Sequence, residues 1–326
     1  MRIRKILFPC SLLFTMLGSA EVLSASTDKA LSLFEAEQYQ ASIHEADRVL
    51  EATPDDSEAL NIKALSVSVL GDDNTAIRLV SEALEASRKT GKASIEQQAN
   101  YWNNLGYFNE RQRNFQLALG YYRKSLEMRL AAYGESDLRT ADSYNNLGTT
   151  LSKLGQFDEG FAYLRKNLTL RERLLGADHH QVAVAINNLG NAYNLQGDYE
   201  SSLPLFQRAL QIDTRLYGPQ HPILAVRWNN IGDALRGLGR YDEAALFLNR
   251  ALASDLATFG ENHPKLVLRY FNLARLYEAQ GDVSRSGDAY ANALRIQRQV
   301  NPGDTEQIQF LESKLGTAAA VSAAGK

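Results

Sequence analysis

The chain has 326 residues, and 35 lysines and arginines stand against 38 aspartates and glutamates, for a formal net charge of -3 at pH 7. A slightly acidic chain is poorly suited to general binding of nucleic acids or anionic membranes, because both require an excess of positive charge. Cys10 is the single cysteine, so the sequence offers neither a disulfide nor the paired-cysteine spacing of a structural metal site.

The first 20 residues have the features of a secretory signal peptide. They contain no acidic residue, begin with three basic residues, continue with a largely apolar run over 6–17 and reach the small residues Gly18, Ser19 and Ala20. The apolar run is shorter than the roughly 20 residues of a membrane-spanning helix. We therefore expect export to a bacterial periplasm or cell surface, without membrane insertion of the mature chain, and a retained membrane anchor is the alternative. Cys10 would leave with the signal peptide.

From residue 57 onwards the sequence repeats every 42 residues, in blocks at 57–98, 99–140, 141–182, 183–224, 225–266 and 267–308. Several columns in register at one spacing exclude coincidence and indicate an array of equivalent units. The sixth position is asparagine in five blocks and the twenty-eighth is leucine in all six: Asn104, Asn146, Asn188, Asn230, Asn272 and Leu84, Leu126, Leu168, Leu210, Leu252, Leu294.

Each block predicts two helices, because its apolar residues recur at helical spacing. We predict helix A over block positions 2–14 and helix B over positions 18–33, with a glycine at position 15 that ends helix A. Arg113 replaces this glycine in the second block. Small residues at positions 8 and 20 would let the two helices approach closely. A single helix pair buries too little apolar surface to be stable alone, so successive pairs must stack into a solenoid.

The Asn-Asn-Leu-Gly run at 145–148 and the Tyr-Gly-x-x-His-Pro run at 217–222 resemble the tetratricopeptide repeat in its 42-residue, kinesin-light-chain form. The resemblance implies an all-α fold, a right-handed α-α superhelical solenoid of about seven repeats. A shorter 34-residue repeat occupies 23–56, and six 42-residue repeats occupy 57–308. We expect a capping helix at 304–315, because its apolar residues have helical spacing, and a disordered tail at 316–326.

Position 6 of helix A shares a stripe with positions 2, 9 and 13, whereas positions 4, 7, 8 and 11 pack on helix B. The stripe is expected to line the concave groove. The resemblance implies that asparagines at position 6 contact the backbone of an extended peptide, and an amide can both donate and accept there. The alternative is that they only bond neighbouring helices. The candidate peptide-binding residues are Asn104, Asn146, Asn188, Asn230, Tyr107, Arg111 and Lys153. The last three predict a preference for an acidic, aromatic-containing segment.

Histidines recur at block position 39, at His179, His221 and His263. Residues one whole repeat apart are too distant to share a metal ion. We interpret this column as the loop end that starts the next helix A, where proline follows at 222 and 264 because the first turn does not need its N–H. His180 beside His179 leaves one local pair as a metal candidate.

The sequence contains no Gly-rich phosphate loop and no signature of a nucleophilic or metal-dependent hydrolase. We therefore predict a non-catalytic scaffold without a cofactor or metal, which binds a peptide or a partner protein segment in its concave groove. Two alternatives stay open. One is a subunit of a cell-envelope assembly or export complex that uses the convex face or the ends. The other is an enzyme or metal-dependent protein built around His179 and His180.

Overall fold

The structure is a computed structural model that describes residues 25–324, so the predicted signal peptide and Cys10 lie outside the described residues. The described residues form fifteen α-helices and one short 3-10 helix. The chain divides into two compact units, Met1–Leu174 and Leu175–Lys326. None of the described helices is both long enough and apolar enough to span a bilayer.

Unit 1 is a run of four helix pairs in which each helix packs on the next. The odd-numbered helices are helices A and the even-numbered ones helices B, and a short 3-10 helix, Gly134–Ser136, precedes α7. The eight helices are α1 (Ala25–Glu35), α2 (Tyr39–Ala52), α3 (Ser57–Val69), α4 (Asp73–Thr90), α5 (Ile95–Arg111), α6 (Phe115–Tyr133), α7 (Leu138–Lys153) and α8 (Phe157–Leu175).

Unit 2 contains three further pairs and a last helix. The same alternation holds, and each helix again packs on the next. The seven helices are α9 (His180–Gln196), α10 (Tyr199–Tyr217), α11 (Leu224–Gly237), α12 (Tyr241–Phe259), α13 (Lys265–Ala279), α14 (Val283–Val300) and α15 (Thr305–Ala324). The two units thus hold seven helix pairs in the described residues, as the sequence predicted, followed by one helix.

Glycine at position 8 lets helix A and helix B of one repeat touch. A Cβ added at Gly106 would lie 2.5 Å from the Tyr122 ring, and one added at Gly190 would lie 2.7 Å from the Phe206 ring. Both distances are shorter than a van der Waals contact, so any side chain here would push the pair apart. The predicted packing role of this column is confirmed.

The helices A of the later blocks begin two to five residues earlier than predicted. For α5, α7 and α9 the reason is capping, because the polar residue just before each of these helices accepts one of its first free N–H groups. Ser94 forms a capping box with Gln97 at the start of α5, and Asp137 accepts from Arg139 N at the start of α7. At the other end, α15 continues to Ala324 instead of stopping at 315. The expected tail is therefore helical over 316–324, consistent with the high helix propensity of alanine.

The loop between helix A and helix B imposes a left-handed backbone conformation at position 15. Gly71, Gly155, Gly197, Gly239 and Gly281 all have positive φ there. Arg113, at the same position, has φ 62. The fold thus imposes this conformation even where the sequence lacks the glycine that adopts it without strain.

Candidate functional site

We call the surface formed by positions 2, 6, 9 and 13 of helices A the helix-A face. In unit 1 it includes Tyr107 and Arg111 on α5 and Lys153 on α7. The Arg111 guanidinium lies 5.9 Å from the centre of the Tyr107 ring. The side chains of Arg111 and Lys153 are 39% and 40% exposed, so both reach solvent. Burial raises the pKa of the Tyr107 phenol above its ordinary value, which already leaves the hydroxyl neutral at physiological pH.

The asparagines at position 6 form a hydrogen-bonded ladder between consecutive helices A. Asn104 Nδ2 donates to Asn61 Oδ1 at 2.8 Å, and Asn146 Nδ2 donates to Asn103 Oδ1 at 2.9 Å. Each bond joins position 6 of one helix A to position 5 of the preceding one. This is the helix-bonding role that the sequence left open as the alternative. Asn104 is only 4% exposed, whereas Asn146 is half-buried.

The same ladder continues within unit 2. Asn230 Nδ2 donates to Asn187 Oδ1 at 2.9 Å, and Asn272 Nδ2 donates to Asn229 Oδ1 at 3.0 Å. Asn188 lies on α9 and is half-buried. These amides therefore hold neighbouring helices A together, and their contact with a peptide backbone stays a prediction.

The positive charges of the unit 1 helix-A face are paired within the chain. Arg111 Nε lies 3.2 Å from Asp73 Oδ2, and its Nη1 donates to the carbonyl and hydroxyl of Ser68 at 3.1 Å. Lys153 Nζ pairs with Glu110 Oε1, whose other oxygen accepts from the Tyr122 hydroxyl at 3.0 Å. This surface is therefore less basic than the sequence indicated, because each cation has its own carboxylate.

The helix-A face of unit 2 has a different chemistry. Arg236 and Arg275 share one carboxylate, since their guanidinium nitrogens lie 2.8 Å and 3.2 Å from Asp233 Oδ1. Aliphatic side chains stand at position 2, where Val226 is 38% exposed and Leu268 is 51% exposed. The corresponding residues of unit 1 are polar.

The histidine column lies at the loop ends that precede α9, α11 and α13, as the sequence predicted, and each imidazole accepts one backbone N–H there. His179 Nδ1 accepts from Gln181 N at 3.1 Å, and His221 Nδ1 accepts from Ile223 N at 3.2 Å. His263 Nδ1 likewise accepts from Lys265 N at 3.3 Å. Throughout residues 25–324, no three His, Cys, Asp or Glu side chains are grouped so that they could hold a metal ion.

Unit 2 contains two buried ion pairs that could not be recognised from single positions of the sequence. Arg227 Nε lies 3.0 Å from Asp213 Oδ2, and Arg269 Nε lies 2.9 Å from Asp255 Oδ2. In both pairs position 31 of a helix B meets position 3 of the next helix A, 14 residues later. His180 Nδ1 also lies 2.8 Å from Asp213 Oδ1, so this histidine belongs to the structural network.

Glu58 on α3 has a buried carboxyl group. No basic side chain is among the groups that shift the pKa of this carboxyl. Its Oε2 accepts from the Tyr101 hydroxyl at 2.9 Å and from Gln97 Nε2 at 3.2 Å. Its Oε1 has no hydrogen-bond partner among the described residues. Burial raises the pKa of this carboxyl, and the charge of Asp56 adds to the increase. The folded protein therefore favours the neutral acid.

Replacing Glu58 by glutamine is expected to raise the unfolding temperature at pH 8. A carboxyl whose pKa is raised on folding stabilises the fold below its unfolded pKa, and that stability is lost as the pH rises through the folded pKa. Glutamine cannot ionise, so its advantage over glutamate should shrink as the pH falls towards 4. Thermal unfolding at several pH values measures this, and a difference that does not change with pH would contradict it.

Comparison with known proteins agrees with this architecture. A tetratricopeptide-repeat family model matches residues 27–89, and a second one matches 97–159, 145–203 and 181–257. No curated protein sequence matches the chain.

Three solved structures illustrate the similarity in fold. The apo form of RapI superposes with a TM-score of 0.68 at 16% identity, over 85% of this chain and 98% of that one. A putative kinesin light chain with TPR-like repeats from Podosopora anserina gives 0.53 at 16% identity, over 63% and 98%. PilW, a widely conserved type IV pilus biogenesis factor, gives 0.54 at 18% identity, over 72% and 92%. At these identities the likeness concerns the fold alone, but the family models cover most of the chain, which therefore belongs to the tetratricopeptide-repeat family.

Proposed function

We propose that the protein is an exported, non-catalytic scaffold that binds an extended peptide or a partner protein segment on its helix-A face. One observation carries the proposal. Tyr107 is half-buried, Arg111 and Lys153 reach solvent on two helices A, and intrachain ion pairs restrict both cations. A surface that is ordered before binding loses less conformational entropy when a partner docks.

The chemistry of this surface favours a segment that combines an aromatic ring with polar groups. Tyr107 offers a ring and a neutral hydroxyl, and Asn146 on the next helix A bonds to Asn103, four residues before Tyr107. Three hydrogen bonds would contribute only about 1.5 to 4.5 kcal/mol, whereas a micromolar complex needs about 8 kcal/mol. Contacts with partner side chains must supply the remainder. An acidic group of the partner would have to share Arg111 with Asp73 and Lys153 with Glu110.

Charge reversal tests which face is used. We expect the double variant Arg111→Glu and Lys153→Glu to weaken partner binding at least about tenfold, because it places new carboxylates beside existing ones. The matched control is Arg123→Glu with Lys124→Glu on α6, which changes the charge equally on a helix B. The readout is affinity capture from a cell-envelope extract, with partner recovery quantified for each variant.

The same experiment separates the two interpretations. Partner recovery that survives reversal on α5 and α7 but is lost with the α6 variant would contradict binding on the helix-A face. It would favour the alternative, a subunit of an envelope assembly that uses its convex face. One comparison supports that alternative: PilW, which has a similar fold, is a type IV pilus biogenesis factor.

Export has its own test. The basic start, the short apolar run and the small residues at 18–20 support removal of the first 20 residues. We expect the intact mass of the protein, recovered through a tag at its carboxyl end, to correspond to a chain that begins near residue 21 in the envelope fraction. A cytosolic chain that still begins at Met1 would contradict export, and an envelope chain of full mass would indicate a retained anchor.

A further inference from the structure

In two repeats of unit 1, an arginine on helix B binds the polar side chain at position 2 of helix A. Arg129 Nη2 on α6 donates to Asn100 Oδ1 on α5 at 3.0 Å. Arg171 on α8 pairs with Asp142 on α7. Both arginines stand at position 31 of their block. Where position 2 is a carboxylate, as at Asp142, the arginine supplies the opposite charge.

The repeat at 57–98 has a carboxyl group at position 2 but no arginine at position 31. These two positions are Glu58, which is only 5% exposed, and Ser87 on α4. Glu58 Oε1 and Ser87 Oγ are both buried without a hydrogen-bond partner among the described residues. A buried carboxylate without a cation is unstable, because neither water nor an opposite charge stabilises it. The site therefore accommodates the neutral acid.

Two titratable groups face Glu58, and neither is a cation. Asp56 Oδ1 accepts from the backbone N–H groups of Glu58 and Ala59 at the start of α3, so these donors are not used by the Glu58 carboxyl. Tyr101 on α5 donates to Glu58 Oε2 at 2.9 Å, and burial raises the pKa of this phenol, so it stays a donor. Gln97 is neutral. Helices α1, α2 and α4 also pack on α3, but among the described residues they form no hydrogen bond or ion pair with this carboxyl.

Glu58 lies at one end of a row of polar contacts that joins α3 to α5. Asn104 Nδ2 donates to Asn61 Oδ1 at 2.8 Å in the middle of the row. At the far end, Arg111 Nη1 donates to the carbonyl and hydroxyl of Ser68 at 3.1 Å. Arg111 belongs to the candidate peptide-binding surface. The orientation of its guanidinium therefore depends on how α3 lies against α5.

We propose that a proton on Glu58 holds α3 against α5, and that loss of this proton moves α3 away, releases Arg111 and weakens partner binding on the helix-A face of unit 1. The ionised carboxylate reaches water only if the first turn of α3 moves, which breaks its hydrogen bonds with Tyr101 and Gln97.

The direction of the pH dependence follows from burial, which raises the pKa of the Glu58 carboxyl. A group of this kind stabilises the folded arrangement at low pH, and the stabilisation is lost as the pH rises through the folded pKa. Partner binding is therefore stronger at acid pH than at alkaline pH. The effect on binding rests on the proposed function, whereas the movement of α3 does not.

Hydrogen exchange of the backbone amides in 57–69, followed by mass spectrometry, tests the movement of α3 without a partner. Between about pH 6 and about pH 9, we expect exchange corrected for the intrinsic effect of pH to become at least about tenfold faster in the native chain. Glu58→Gln keeps a neutral side chain and should show no such change. Comparing the two chains at each pH removes the contribution of the histidines, which titrate in the same range.

Two further variants separate ionisation of Glu58 from a merely structural effect. Tyr101→Phe removes a hydrogen bond that favours the ionised carboxyl, so the change in exchange should move to higher pH. Glu82→Gln is the matched control on α4, because it removes the charge of a carboxylate that is 46% exposed and paired with Arg78. It should leave the pH dependence of the native chain unchanged.

Partner binding is measured by affinity capture from the cell-envelope extract, at about pH 6 and about pH 9. Recovery by the native chain should fall about tenfold at the higher pH, because only about a tenth of the molecules then keep α3 against α5. Recovery by Glu58→Gln should be the same at both pH values.

Three results would overturn the proposal. The first is exchange in 57–69 that depends on pH equally in the native chain and in Glu58→Gln. The second is a change in exchange that Tyr101→Phe leaves at the same pH. The third is partner recovery that the native chain and Glu58→Gln lose equally at the higher pH. Absence of recovery at both pH values, with the movement of α3 observed, would contradict the proposed function and with it the effect on binding.

Discussion

Replacing Asp255 by alanine is expected to lower the free energy of unfolding by about 3–5 kcal/mol, because it leaves the charge of Arg269 buried without its partner. The two side chains are only 2% and 4% exposed, and Arg269 Nε lies 2.9 Å from Asp255 Oδ2. Burial lowers the pKa of Arg269, and the Asp255 charge opposes this change. The guanidinium is therefore poorly solvated without the carboxylate.

We expect the ion pair to contribute less to the free energy of unfolding than the loss of one of its two members implies. Arg269→Met alone and Asp255→Leu alone should each be about as damaging as Asp255→Ala, whereas Asp255→Leu combined with Arg269→Met removes both charges and should recover most of the loss. The double-mutant cycle then gives a large coupling energy. Urea unfolding followed by circular dichroism measures all four variants.

An exposed pair in the same unit provides the control. Arg240 and Glu243 are 47% and 52% exposed, although their ion pair is 2.7 Å long. Alanine at both positions should change the free energy of unfolding far less than Asp255→Ala does, because solvent screens an exposed pair. If loss of Asp255 proved no more damaging than loss of this surface pair, the buried pair would not be a stabilising link between repeats.

Replacing Gly148 by alanine is expected to lower the free energy of unfolding by about 1–3 kcal/mol, because the added methyl group overpacks the repeat. Its Cβ would lie 2.6 Å from Leu164 Cγ and 2.9 Å from the carbonyl oxygen of Gly160. Leu164 is fully buried, and the Gly160 oxygen belongs to the backbone of α8. Neither neighbour can move without separating α7 from α8.

Gly120→Ala is the matched control, because it makes the same chemical change in a helix of the same unit. Nothing among the described residues lies within 4 Å of a Cβ added at Gly120. Alanine there should raise the free energy of unfolding by about 0.5–1 kcal/mol through the loss of glycine's conformational freedom. Opposite signs for the two variants are the expected result in thermal or urea unfolding. Stabilisation by both would show that position 8 has room for a side chain.

The helix pairs could be predicted from the sequence because the repeat makes each pattern appear several times. A single Gly106 would be ambiguous, whereas glycine recurring at position 8 indicates a close approach of two helices. The place of the histidine column was predictable for the same reason, since it recurs in the loop just before a helix A. The start of each helix was less predictable, because capping side chains such as Asp137 precede the apolar stripe.

The charges of the candidate site could not be predicted from the stripe alone. Asp73 and Glu110 lie outside positions 2, 6, 9 and 13, yet their carboxylates reach Arg111 and Lys153. The asparagine ladder could not be predicted for a similar reason. Asn146 bonds to the residue at position 5 of the preceding helix A, and position 5 lies outside the stripe. The spacing of the stripe predicts which residues share a face of the helix. It does not predict which side chains from other positions reach those residues.

The buried ion pairs can be recognised in the sequence only when two block positions are compared in successive blocks. Asp255 and Arg269 each resemble an ordinary charged residue on a helix surface. Asp213 and Arg227 repeat the same combination, 14 residues apart, one block earlier. Because position 31 and position 3 of the next block lie on neighbouring helices, a recurring acid and base at these positions indicates a contact between repeats.

A photoreactive residue at position 149 gives the most direct test of the central claim, that the helix-A face holds the partner. Thr149 is half-buried on α7, four residues before Lys153. We expect crosslinking in intact cells to give a discrete protein adduct at position 149, which Arg111→Glu with Lys153→Glu suppresses. The same residue placed at Lys124 on α6 should give none. An adduct from position 124 and none from position 149 would contradict the proposed use of the helix-A face.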